Sequence, residues 1–210
     1  MKRLVCFIVI VAVLSVTAFA ENMKLSESAE KDLYNLGIMI GDGKGNLRLN
    51  DEVTRAELSK MICVALGYKD ILASDLSVTE DFYDVGKEHW AYCYIQIASS
   101  LALIKGNDGY FNPNGNVTLE ESIRAIICAL GYKPEAEERG YIEVAEEIGL
   151  IESTVLKKDE NTIREECAYL ISICLDIPLL QQTSFGKNPQ YAPMNGTNNT
   201  PLITLRTKLK

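Results

Sequence analysis

Arg55 is the residue whose type and position most clearly suggest chemistry. It follows Thr54 in the run Val-Thr-Arg-Ala-Glu-Leu, and a threonine with a glutamate three residues later predicts the start of a helix. At a helix start, unpaired backbone amides and the helix dipole favour negative charge, and a guanidinium matches a carboxylate with two hydrogen bonds. The pattern therefore predicts an anion-binding residue, with a solvated surface arginine as the alternative.

The other residue types that could do chemistry give weaker signals. Trp90, the one tryptophan, could stack on a sugar ring, but a core position at a helix start is the favoured interpretation. His89 is the one histidine, so the chain has no histidine cluster. The loop that begins at Asp42 has Lys44 and Val53 at positions where a calcium loop needs oxygen ligands. There is no C-x-x-C pair and no Gly-x-Ser-x-Gly motif. We therefore expect no metal site, no cofactor and no enzyme activity, since a hydrolase would need two distant carboxylates to converge.

An internal repeat indicates which elements position these residues. Residues 53–68 and 117–132 are identical at eight of sixteen positions without a gap. A weaker copy of the same apolar spacing follows Thr162, and repeats at such a period predict stacked copies of one unit. All three copies begin with the capping-box pattern Thr-x-x-Glu. The predicted helix caps are Thr54 with Glu57, Thr118 with Glu121, and Thr162 with Glu165.

Each capped helix is preceded by a shorter apolar stretch and a loop. The apolar residues recur with the i, i+3, i+4, i+7 spacing of amphipathic helices. One helix–loop–helix unit of this size cannot bury its apolar face alone, whereas three packed together can. We predict a mainly α fold of three such repeats packed as a pseudo-threefold helical module. The predicted boundaries are residues 24–70, 80–133 and 139–178, followed by a flexible tail at residues 179–210.

The N-terminus and the charge limit where the protein works and what it binds. Lys2 and Arg3, a short apolar run and the small-x-small end at Ala20 predict a secretory signal peptide over residues 1–20. The chain beyond it contains no further apolar run long enough for a transmembrane segment. The formal net charge is −8, which argues against nucleic acid as a partner. An odd number of cysteines remains after cleavage, and we expect buried free thiols.

At this point the sequence resembles the S-layer homology domain family over roughly residues 24–178. Three motifs in the family's order carry the resemblance. They are Val53-Thr54-Arg55-Ala56-Glu57-Leu58; Phe82-Tyr83-Asp84-Val85 followed by His89-Trp90-Ala91; and the turn Gly106-Asn107-Asp108-Gly109-Tyr110-Phe111-Asn112-Pro113.

The resemblance implies both a fold and a function. Three such units usually form a pseudo-threefold module around a central helical bundle. That module holds exported proteins non-covalently on Gram-positive-type cell walls by binding pyruvylated secondary cell wall polymer, an anionic polysaccharide. The ligand grooves of the family lie between neighbouring units, and its arginine after the threonine is a ligand contact. The chain is accordingly expected to be secreted and to lie at the cell wall or S-layer of a bacterium.

Departures from the family pattern reduce the expected number of ligand sites. The first repeat has the arginine, Arg55, but the matching positions of the second and third repeats are occupied by Leu119 and Ile163. Arg164 lies one residue beyond Ile163. We therefore expect at most one strong site. The alternative is an array depleted of ligand sites that acts as a structural or protein-interaction module, with other envelope proteins as partners and Leu119 and Ile163 in an apolar contact surface. The predicted ligand-binding residues are Arg55, Trp90, Gly106 and Asn107.

Overall fold

The structure, a computed structural model, is mainly helical, which confirms the predicted fold class. It describes residues 25–43, 45–76, 80–152, 160–184, 189–194 and 202–209, so the predicted signal peptide lies outside the described residues. No helix in these ranges is long and apolar enough to cross a membrane. The elements are α1 (Glu27–Asn35), α2 (Arg55–Ala65), α3 (Tyr92–Ser100), α4 (Leu119–Ala129), α5 (Lys133–Arg139), α6 (Tyr141–Glu147), α7 (Arg164–Cys174), β1 (Leu180–Gln182), β2 (Tyr191–Pro193) and α8 (Leu205–Lys208), with a 3₁₀ turn at Ala73–Asp75.

The three inner helices α2, α4 and α7 form the centre of the molecule, and each contacts the other two. Their apolar residues meet there, and Leu58, Ile123 and Cys167 are completely buried. The outer helices α1, α3 and α6 pack around this centre in a cyclic order. Specifically, α3 packs on α2, α6 on α4 and α1 on α7. Each outer helix therefore packs on the inner helix of the preceding repeat, and the first repeat closes the cycle on the third.

A ring of backbone hydrogen bonds joins the three repeats just before their inner helices. The Val53 amide donates to the Thr162 carbonyl (3.0 Å), the Thr162 amide to the Val117 carbonyl (2.9 Å), and the Val117 amide to the Val53 carbonyl (2.9 Å). All three residues are fully buried, so each amide needs a protein partner. The ring satisfies these groups without any side chain.

The start of the third inner helix differs from the prediction. Capping boxes are present at Thr54 and Thr118, whose hydroxyls accept from the amides of the glutamates three residues later. The N-cap of α7, however, is Ile163, and its amide donates to the Glu166 carboxylate (3.0 Å). Thr162 instead occupies the position in the backbone ring that Val53 and Val117 occupy in the other two repeats. The prediction of Thr162 and Glu165 as caps is wrong, because the third copy is displaced by one residue and isoleucine has no side-chain acceptor.

The C-terminal segment was expected to be a flexible tail, and its described part differs from that expectation. β1 and β2 pair antiparallel, with Leu180 opposite Pro193. Leu205 in α8 is buried, and Arg206 beside it makes ion pairs with Asp176 at 2.6 Å and with Asp32 in α1. Apolar and charged residues within a polar sequence therefore hold this segment against the helices.

Candidate ligand-binding grooves

Arg55 is the first residue of α2, as predicted from its cap, but its side chain is engaged with the second repeat. Its Nε donates to the Phe111 carbonyl (2.8 Å) and its Nη2 to the Lys105 carbonyl (2.6 Å). Its guanidinium carbon lies 4.9 Å from the centre of the Phe111 ring. The side chain is only 15% exposed, and burial lowers the pKa of Arg55. Arg55 therefore fixes the loop of the next repeat in place.

The backbone amides at the start of α2 are also paired, contrary to the expectation that they attract an anion. The Arg55 amide donates to the Gly115 carbonyl (2.9 Å) and the Ala56 amide to the Pro113 carbonyl (3.0 Å). The amide of Glu57 donates to the Thr54 hydroxyl at 3.2 Å. Because these three amides are engaged within the protein, any positive charge that attracts an anion here has to come from side chains.

Arg164 is the counterpart of Arg55 in the third repeat, and sequence comparison missed this. Its Nε donates to the Leu47 carbonyl (2.8 Å) and its Nη2 to the Ile40 carbonyl (3.1 Å), in the loop of the first repeat. Its Nη1 lies 3.0 Å from the Glu57 carboxylate, as Nη1 of Arg55 lies 3.8 Å from that of Glu121. Matching Ile163 with Arg55 was therefore wrong.

A signal for this displacement was present in the sequence. The apolar residues of α2 recur 109 residues later, since Leu58 matches Cys167 and Ile62 matches Ile171. That offset pairs Thr54 with Ile163 and Arg55 with Arg164. Two of the three repeats therefore keep the arginine, and only Leu119, buried at the second position, has replaced it.

The first groove is the cavity of about 220 Å³ that Arg55 lines between the first and second repeats. Its charged lining is mostly basic, although the whole chain is acidic. Four cationic side chains face a single carboxylate, and Tyr141 from α6 of the third repeat completes the wall. The charged lining residues are Arg55, Lys105, Arg124, Lys133 and Glu121.

The second groove is a smaller cavity of about 100 Å³ between the third and first repeats. Its charged lining consists of Arg164, Lys60 and Glu57, and Trp90 from the second repeat forms its aromatic wall. Burial, followed by the charge of Arg164, lowers the pKa of Lys60. Trp90 is 58% exposed and stacks on the His89 ring at 5.8 Å, so the expectation that it is a core residue is wrong.

Gly106 and Asn107 lie in the loop that also carries Lys105, but they are not among the described residues lining the first groove. A Cβ on Gly106 would lie 2.4 Å from the Phe82 ring, so packing explains this glycine. The Asn107 amide donates to the Tyr110 carbonyl (2.8 Å), and its side chain donates to Asp108 (3.0 Å). The structure does not bring the four predicted ligand residues together, because Arg55 and Trp90 lie in different grooves.

Both grooves combine all three repeats in the same way. One repeat supplies the first arginine of its inner helix, the next supplies the loop and the capping glutamate, and the remaining one supplies an aromatic residue. No sequence pattern pointed to Arg124, Lys133 or Tyr141, because these residues become neighbours only when the repeats close in a cycle. Within the described ranges, no group of three or more histidine, cysteine, aspartate or glutamate residues could hold a metal ion.

Comparison with known proteins places this architecture in a family. A sequence model of the S-layer homology domain matches residues 31–59 and 81–121, in the first and second repeats. The chain is 30% identical over 155 residues to a cell surface protein of Thermoanaerobacter kivui, covering 73% of this chain and 20% of that protein. It is 27% identical over 169 residues to the middle cell wall protein of Brevibacillus brevis, covering 79% of this chain and 16% of that protein.

A surface layer protein of Brevibacillus choshinensis is 32% identical over 109 residues, covering 51% of this chain and 10% of that protein. The chain thus spans a fifth or less of the length of these curated relatives. The residues that match the family model lie in the first and second repeats, and the three relatives are named for the cell surface, the cell wall or the surface layer. This chain is an S-layer homology domain protein of the bacterial cell surface.

Proposed function

We propose that this protein attaches non-covalently to an anionic, pyruvylated secondary cell wall polysaccharide through the grooves between its repeats. One observation carries the proposal: basic side chains collect in the first groove of a chain whose net charge is −8. A local cationic cavity on an acidic protein favours an anionic ligand over general association with polyanions. The second groove repeats the arrangement with Arg164, Lys60 and an exposed tryptophan.

The arrangement suits a polymer better than a single small ligand. Two grooves separated by one repeat give a chain of repeating acidic sugars two attachment points on one molecule. Once one groove is occupied, the second binding event becomes intramolecular, which raises the overall affinity without any new contact. Weak individual grooves are therefore compatible with stable attachment to a wall.

The alternative of a protein-interaction module has no comparable support. It required Leu119 and Ile163 to contribute to an exposed apolar surface. Leu119 is buried and Ile163 is partly buried at the start of α7. Leu119 also donates its amide to the Glu160 carbonyl (3.2 Å), as the other helix starts do to their neighbours. These residues therefore fit internal packing between repeats.

Co-sedimentation with purified wall sacculi tests the proposal. Residues 21–210 are mixed with sacculi of a Gram-positive bacterium, before and after chemical removal of the secondary polymer. We expect the protein to sediment only with polymer-bearing sacculi, and its binding to weaken as salt is raised, because the attraction is electrostatic and partly exposed. Equal sedimentation with stripped sacculi, or none with intact ones by folded protein, would refute the proposed function.

A further inference from the structure

We infer that Arg124, and not Arg55, is the side chain that binds the acidic group of the ligand in the first groove, and that Lys60 does so in the second. The ligand class is a sugar that bears a carboxylate. This inference rests on the proposed function and assigns roles within it. It reverses the expectation from the sequence, in which Arg55 was the main cationic contact.

Arg55 is poorly suited to bind a ligand because its donors serve the fold. Its Nε and Nη2 donate to two backbone carbonyls of the second repeat, and its Nη1 faces the Glu121 carboxylate. A ligand that took these donors would leave the Phe111 and Lys105 carbonyls without their partner. The side chain is also the more enclosed one, since Arg124 is exposed.

Arg124 has the opposite properties. Its guanidinium carbon lies 4.5 Å from the centre of the Tyr141 ring, an arrangement that fixes the plane of the cation. The Arg124 side chain makes no hydrogen bond or ion pair with any other described residue. A guanidinium held on an aromatic face keeps its edge free, and that edge offers two parallel N–H groups to a planar carboxylate. Lys105 and Lys133 add positive charge to the same cavity.

The second groove provides an independent instance of this arrangement. Lys60 follows the capping glutamate of α2 by three residues, as Arg124 follows that of α4, so the two cations occupy equivalent helix positions. Lys60 lines the second groove together with Trp90, as Arg124 lines the first with Tyr141. A cation beside an aromatic residue from a different repeat therefore occurs in both grooves that retain the arginine.

The test compares charge-removing variants of residues 21–210 in the sacculus assay. Arg124→Gln should weaken binding to polymer-bearing sacculi by about tenfold, the typical contribution of a charge-assisted hydrogen bond pair. Lys60→Gln should weaken it further when combined with Arg124→Gln. Melting temperatures should fall by no more than about 4 °C, because neither variant leaves a carbonyl unpaired and Arg124→Gln removes only the stacking contact with Tyr141. Arg139→Gln is the matched control, since Arg139 lies on α5 and pairs with Glu143 and Glu147 outside the groove lining.

A separate experiment tests the chemistry of the ligand. Mild acid treatment of the sacculi cleaves ketal-linked carboxylates and leaves phosphodiesters. We expect this treatment to abolish the difference in binding between wild type and Arg124→Gln. If wild type and Arg124→Gln both require the polymer and bind it equally well, this inference is overturned and the proposed function stands. Binding that survives mild acid would overturn the carboxylate assignment. Folded wild type that ignores the polymer would overturn both.

Discussion

At the scale of single residues, Arg55 and Arg164 each connect the start of one inner helix to the loop of the next repeat. Both use Nε and Nη2 for two backbone carbonyls and direct Nη1 toward the capping glutamate of that next repeat. Glu57 therefore serves two purposes, since one oxygen accepts from the Thr54 amide and the other pairs with Arg164. The arginine that a motif would assign to a ligand here holds repeats together.

Replacing Arg164 should therefore cost stability. Its side chain is 4% exposed and donates to the Leu47 and Ile40 carbonyls as well as to Glu57. Arg164→Ala removes the donor to these two carbonyls and one of the two cations that pair with Glu57, which keeps Arg48 and the Thr54 amide as partners. We expect the free energy of unfolding to fall by about 1–3 kcal/mol. Urea denaturation measures the change. Arg139→Ala, a surface control, should leave the midpoint unchanged, and an equally small effect for Arg164→Ala would contradict the structural role.

Two tyrosines should respond oppositely to the loss of a hydroxyl. The Tyr141 hydroxyl is buried and faces the Cys128 thiol, a weak hydrogen-bond partner, whereas the Tyr132 hydroxyl donates to the Pro178 carbonyl (3.0 Å). Tyr141→Phe should raise the free energy of unfolding by about 1 kcal/mol, and Tyr132→Phe should lower it by about the same amount. Thermal unfolding of the pair decides the point, and a loss of stability in Tyr141→Phe would reveal a partner for that hydroxyl.

Buried thiols should make the protein sensitive to alkali. Burial raises the pKa of the Cys63 and Cys167 thiols to about 12, whereas the pKa of a thiol in an unfolded chain is about 8.5. Between these values the unfolded chain has lost protons that the folded protein keeps, so stability is complete below the unfolded pKa and falls as pH rises. We expect a loss of about 1.4 kcal/mol per pH unit for each thiol above about pH 9.

Urea denaturation under reducing conditions, from about pH 8 to about pH 10.5, measures this slope. Cys167→Ala lowers the absolute stability through a cavity, but it should also make the slope shallower because one titrating thiol is gone. A variant with the wild-type slope would show that other groups cause the alkaline loss.

At the scale of elements, the inner helices were predictable and their exact starts were not. Apolar spacing gave α2, α4 and α7 because an amphipathic pattern follows from burial on one face. The Thr-x-x-Glu pattern gave the correct start twice and misplaced it once, at Thr162. The failure has a physical cause: a cap is recognised by one hydroxyl, whereas the helix phase is fixed by several apolar residues, and the two signals disagree by one residue in the third repeat.

The missing cap on α7 can be supplied. Ile163 has no side-chain acceptor, although Glu166 already accepts from its amide at 3.0 Å. Ile163→Thr should complete the box, because the hydroxyl can accept from the Glu166 amide, and raise the free energy of unfolding by about 0.5–1 kcal/mol. Thr118→Ala, which removes an existing cap, should lower it by about 1 kcal/mol. Destabilisation by Ile163→Thr would mean that the apolar contacts of isoleucine outweigh a cap.

At the scale of the whole molecule, sequence repetition predicted three similar units but not how they share residues. The cyclic contacts pass from one repeat to the next, so residues such as Arg55, Arg124 and Tyr141 meet although each lies in a different repeat. No local pattern links them, since their proximity depends on closure of the ring. The described C-terminal segment was missed for a related reason: a few apolar residues in a polar sequence give no periodic signal.

The packing of that segment is testable with two leucines three residues apart. Leu205 is 1% exposed and Leu202 is 41% exposed. Leu205→Ala should lower the free energy of unfolding by about 2–4 kcal/mol, because it opens a cavity against the helices. Leu202→Ala should change it little. If both variants unfold like the wild type, the segment contributes nothing to the fold and behaves as the tail expected from its composition.

The backbone ring at Val53, Val117 and Thr162 also has a consequence for how such a protein can diverge. Because main-chain groups alone close it, the ring places few demands on the side chains around it, and a threonine substitutes for valine there. The repeats can therefore carry different side chains on one common scaffold, as Leu119 shows at the position where the other two repeats have an arginine. Substitutions that reshape one groove therefore leave the ring and the other groove in place, so that the two grooves can change independently of each other.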